Sequence, residues 1–203
     1  MADISGMTTG RLIPFEPLTR LDGQRITRWI GLEMALGGGD CVVTDDTVSN
    51  DGSGRSPIVW AYASVPFWQF TMIDVETSAG VIYRLRAEFD HEDESAYGLF
   101  LAKTDEPMAW IAEEPGAFFR TRVLEELPTG IVKVGVEQDT GGAIVEALLD
   151  IGGDVVRLLA AEIHPRLDGG FDLVSPDETI LLQLNGKRPM SDEAERRAAP
   201  HDQ

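Results

Sequence analysis

The sequence predicts a β-rich α+β fold: an antiparallel sheet built of hairpins, with one or two helices packed on it. Three observations carry that expectation. Apolar and polar residues alternate at a period of two through most of the chain, short Gly- and Asp-rich stretches separate the alternating runs, and two segments place their apolar residues at helical spacing instead. With 203 residues, 43% of them hydrophobic, the chain can bury one large core. The expected organisation is a single globular domain over residues 11–186 between a flexible N-terminus, 1–10, and a flexible tail, 187–203, whose "KRPMSDEAERRAAPHDQ" is polar and carries two prolines.

Taken in order, "DGQRITRWIGLEMALGGG" (22–39) admits two readings. Ile26, Trp29, Ile30 and Met34 make a helical stripe that Asp22 would cap, whereas Ile26, Ile30, Leu32, Met34 and Leu36 fit a strand, and Gly31 costs a helix about 1 kcal/mol. "FWQFTMIDVE" (67–76) is rich in aromatic and β-branched residues and reads as a strand, followed by the loop "TSAG" (77–80). In the next run Val81, Tyr83, Leu85, Ala87 and Phe89 face one way and Arg84, Arg86, Glu88 and Asp90 the other, so the pair is a hairpin. "AYGLFLAK" (96–103) supplies its third strand.

"DEPMAWIAEEPGAFFRTRVLEELP" (105–128) is the stronger helical candidate. Pro107 and Pro115 suit first turns, and Phe119, Val123 and Leu127 recur one turn apart, which predicts a short and a longer helix broken at Pro115-Gly116. Beyond it, "IVKVGVEQ" (131–138), "AIVEALLDI" (143–151), "VVRLLAAEIH" (155–164), "FDLV" (171–174) and "TILLQL" (179–184) read as strands joined by Gly-rich turns. The Ala- and Leu-rich stretch 146–163 also suits a helix by propensity, but Gly152-Gly153 breaks it.

The formal charge of −18 belongs to the middle of the chain: residues 37–116 hold fifteen acids and four bases, and 117–186 hold twelve and five, while both ends are balanced. Such a surface repels nucleic-acid phosphates and anionic membranes and attracts basic protein patches. The chain shows no membrane-spanning run and its opening residues lack a signal sequence's basic region, so a soluble, cytoplasmic protein is expected. Cys41 stands alone, which excludes an internal disulfide and a thiolate zinc cluster. No feature sets an oligomeric state.

"DHEDE", Asp90 to Glu94, falls where the chain turns between two expected strands. His91 and Asp93 could hold a divalent cation weakly, although adjacent ligands in a loop do not automatically converge and a solvated hairpin tip explains the cluster as well. "TDDTVSNDGSG" (44–54) fails as a calcium loop, because Ile58 or Trp60 would fall where a bidentate Glu is required. Cys41, His164 and His201 show no partner at a catalytic spacing, and phosphate-loop and nucleophile-elbow spacings are missing. No resident cofactor is expected.

Trp60 and Trp68 lie in the densest aromatic segment, and alternation should expose some of its rings. The expected function is therefore a non-enzymatic interaction module of the inhibitor, immunity or accessory type. Asp90, Glu92, Asp93 and Glu94 would steer a basic partner, and Trp60 and Trp68 would anchor it. The alternative is an enzyme or ligand-binding protein that uses Asp, Glu and His91 in a pocket, with or without a divalent metal.

Overall fold

The computed structural model describes residues 16–39, 56–62, 64–89, 97–113, 117–166 and 170–188. In chain order the described strands are β1 (Arg25–Met34), β2 (Gly37–Gly39), β3 (Ser56–Val59), β4 (Trp68–Thr77), β5 (Ile82–Phe89), β6 (Tyr97–Thr104) and β7 (Phe119–Val123). They continue as β8 (Gly130–Gln138), β9 (Ile144–Ile151), β10 (Asp154–Ala160), β11 (Glu162–Pro165), β12 (Phe171–Val174) and β13 (Ile180–Leu184). A 3₁₀ turn, Leu18–Leu21, precedes β1. Among the described residues no helix is long and apolar enough to cross a membrane.

Six strands close into a barrel in the order β1, β4, β13, β10, β9, β8 and back to β1, every pairing antiparallel. Closure depends on two long strands that each serve two neighbours along one edge. β4 pairs with β13 through Trp68–Phe70 and with β5 through Met72–Glu76, while β1 pairs with β8 at Arg25 and Ile26 and with β7 from Ile30 to Met34. Register shifts at Ile26/Arg28 and Leu32/Glu33 bend β1 where those hand-overs occur. The hairpin of β5 and β6 folds back so that β6 lies against β9, and Gly98 lets the backbones meet, since a Cβ there would stand 3.3 Å from that of Ala143.

Alternation fills the interior with Trp29, Phe70, Ile73, Leu149, Val156, Leu158, Ile180 and Leu182, each removed from water. Each such side chain contributes about 1.5–3 kcal/mol on burial. The indole of Trp29 donates to Pro128 O at 2.9 Å, so its one polar atom is satisfied. The adjacent Leu159 and Leu181 point out of the barrel into a second core with Leu36, Val65, Phe67, Ala161 and Ile163. Gln69, buried on that outer side, accepts from Ile163 N at 3.1 Å and ties the ribbon of β11 and β12 to the barrel.

The expected helices are overturned, and with them the α+β class: the described chain is strand-built around a closed barrel, with no helix packed on a sheet. Residues 22–39 hold β1, because Gly31 brings its backbone against the Phe70 ring in a way no helix would use; a Cβ at Gly31 would stand 2.5 Å from that ring. Within 105–128 the spacing of Phe119, Val123 and Leu127 misled. Strand alternation there places Arg120 and Arg122 on one side and Thr121 on the other, and the segment before β7 runs extended beside it. Residues 146–163 hold the β9–β10 hairpin, turned by Gly152 and Gly153 at φ 68° and 100°, where only glycine sits without strain.

Candidate functional site

The residues singled out by sequence fall in different places. Asp90, His91, Glu92, Asp93 and Glu94 lie outside the described residues, as do Cys41, His201 and the 44–54 loop. Trp68 is an interior residue, 3% exposed, packed edge-on against Phe70 with centroids 6.1 Å apart, so its ring offers no face to a partner. Trp60 is half-buried. Over each of these two rings lies an arginine: Arg120 at 4.1 Å from the centroid of Trp60, Arg122 at 4.4 Å from that of Trp68.

Those arginines belong to a charged cluster at one end of the barrel. Glu33, on the same face of β1 as Trp29, is 1% exposed and lies opposite Arg120 in the β1–β7 register. Arg120 Nε donates to its Oε2 at 2.7 Å and Nη1 donates to Glu113 at 2.6 Å, while Arg122 Nη2 donates to Glu126 at 2.9 Å. Burial alone would lower the Arg120 pKa, but the hydrogen bonds and charges of Glu33 and Glu113 together outweigh it and hold the guanidinium above its ordinary value. Arg188 has the opposite balance. Desolvation lowers its pKa, the Glu33 charge opposes that, and Arg122 and Arg120 add repulsion; its Nη2 donates to Trp60 O at 3.1 Å. Glu33 Oε1 and Glu126 Oε2 are buried with no hydrogen-bond partner among the described residues.

Beside this cluster runs a strap, residues 105–113, fastened from both ends. Asp74, 0% exposed, takes Arg84 in a two-pronged pair at 2.7 and 2.8 Å and also accepts from Met108 N at 2.8 Å. Its hydrogen bond, ahead of the opposing effect of burial, raises the Arg84 pKa. Thr121 completes the fastening: its Oγ1 accepts from Ile111 N at 3.0 Å and donates to Ala109 O at 3.0 Å, and its own N–H donates to Ile111 O. A strap held in this way presents Trp110 at 65% exposure, with Ile111 and Phe119 also exposed. Trp110 rims an open cleft of about 550 Å³ whose other walls include Glu113, Arg120 and Arg122.

Comparison with protein-family models, with curated proteins and with solved structures finds no match.

A third grouping lies where β11 meets the turn after β12: Glu162, His164 and Asp177 each bring one donor atom within 4.8 Å of the others. Sequence alone shows no partner for His164. Glu162 and His164 share a strand face by simple alternation and were findable; Asp177 follows a turn, and no spacing rule would have brought it there.

Proposed function

We propose that the protein is a non-enzymatic interaction module that engages a basic protein partner through the strap and cleft beside β7. The observation that supports this is Trp110, a large ring left mostly in water on a backbone fixed by Asp74 and Thr121. An exposed aromatic on a rigid support binds with little ordering cost, and such residues supply most of the energy in protein interfaces. Charge complementarity favours a basic partner: Asp105, Glu106 and Glu113 stand on the strap, which has no Lys or Arg of its own. A partner guanidinium would stack on the Trp110 face and meet Glu113, in the arrangement that Arg120 already makes with Trp60 and Glu113. Trp110 takes the anchoring role expected from sequence of Trp60 and Trp68.

The test is affinity isolation with the intact chain at low and high salt, followed by titration of the purified partner against W110A and E113K. W110A is expected to weaken binding about 30-fold or more, the loss typical of an anchor residue. E113K should slow association and flatten its salt dependence. A partner held equally by W110A, or none recovered at low salt, defeats the reading.

A further inference from the structure

We propose that Glu162, His164 and Asp177 form a binding site for a borderline divalent cation of the zinc class, on a different part of the molecule from the strap. β11 alternates, so Glu162 and His164 project from one face while Ile163 between them is buried in the second core, which fixes the strand's rotation. His164 Nε2 stands 3.4 Å from Glu162 Oε2. Two ligands on a tetrahedral ion with bonds of about 2.0–2.2 Å are about 3.3–3.6 Å apart, so this pair already has the required span. Asp177 must close from within 4.8 Å, a movement that rotation of partly exposed side chains supplies.

The third ligand is carried by a turn with a fixed backbone. Ser175 Oγ donates to Ala160 O at 3.1 Å, Asp177 N donates to the same carbonyl at 3.3 Å, and Thr179 Oγ1 donates to Ala161 O at 2.6 Å. Asp177 Oδ1 accepts from Glu178 N at 2.6 Å, which orients the carboxylate and leaves Oδ2 for a metal. The donor set decides the class of ion. An imidazole nitrogen with two carboxylates suits zinc or a neighbouring transition ion, whereas calcium and magnesium prefer an all-oxygen shell of six or more ligands. Three protein ligands leave one tetrahedral position for water or for a donor from a bound molecule. Asp172, opposite His164 in the β11–β12 register, lies on the same face and is bridged to Arg166 at 3.3 Å.

The competing account is an ordinary ion pair between a protonated His164 and Glu162. Calorimetric titration of the full chain with zinc, with calcium as the comparison, separates the two, and cobalt(II) absorption reports the coordination geometry. One zinc per chain is expected. H164A, E162Q and D177N should each weaken it about tenfold or more, and H91A, which removes the imidazole of the "DHEDE" segment, should leave it unchanged. Circular dichroism of each variant confirms that it folds, and the two carboxamide variants preserve side-chain volume if H164A does not. Absence of stoichiometric zinc binding, loss with H91A but not with H164A, or calcium bound as tightly as zinc would each overturn the proposal. W110A should not alter zinc binding, so the outcome is independent of the partner titration.

Discussion

Gly31 shows how much one atom can decide in this barrel. Its absent Cβ makes room for the Phe70 ring, which is fully buried and cannot swing aside. G31A is therefore expected to destabilise the protein by about 1–3 kcal/mol, read as a lower urea midpoint with an unchanged slope. In the sequence Gly31 counted only as a blemish in a helix; that it marks a close crossing of two strands required knowing that β1 meets β4. Arg188 carries an effect of opposite sign. Its folded pKa lies below its unfolded one because burial disfavours the charge, so the cost is present at every pH below the folded value, neutral pH included, and lifts only as strongly alkaline pH deprotonates it. R188M keeps the apolar stem and removes the buried charge, and should hold or raise the urea midpoint. E33A should do the reverse and cost about 3–5 kcal/mol, since it leaves Arg120 without its buried partner. Neither role was visible beforehand, because Glu33 looks like any polar residue alternating with Leu32 and Met34.

Among the elements, the strap depends most on side chains of other elements, and the proposed interface rests on it. Thr121 Oγ1 bonds both Ile111 N and Ala109 O, and T121V keeps its shape while removing both bonds. That substitution should cost about 1–3 kcal/mol and speed hydrogen exchange at Ile111. The β4–β1 pairing, held by its own ladder, should keep its protection. A partner that reads Trp110 through a fixed strap would bind T121V more weakly, although no contact residue has changed. Hairpins were the legible part of the architecture: β4 with β5 and β9 with β10 follow from alternation and turn glycines a few residues apart, and β5 with β6 from alternation on either side of a short polar stretch. The strap and β7 were not legible. Residues 105–128 carry Ala and Leu, which favour helix, and two prolines at positions that suit a helix's first turn, and the hydrogen bonds that overrule those local signals come from Asp74 and Thr121. Barrel closure was equally hidden, because it joins Ile180 to Phe70 and Arg28 to Glu76, pairings that no local pattern encodes.

For the molecule as a whole, salt should act on folding and on binding in opposite directions. The chain's charge is −18, and the described residues carry 20 acids and 13 bases, or −7, so −11 resides in the remaining segments, "DHEDE" among them. Like charges at this density repel across the folded surface, and raising the ionic strength from about 0.02 to 0.5 M shortens the screening length to well under 10 Å. The pairs that support the barrel end and the strap, Arg120 with Glu33 and Arg84 with Asp74, are desolvated on the carboxylate side and lose little in the same salt. Added salt should therefore raise the urea midpoint. It should also slow association with a basic partner of the kind proposed, because steering acts over the distances that salt screens, while dissociation, which in that proposal depends on the contact at Trp110, should change much less. Stopped-flow association measured beside urea titrations across that range tests both signs together. If the association rate ignored salt, the carboxylates would have no part in recognition, and the partner would have to be sought by apolar complementarity to Trp110, Ile111 and Phe119 alone.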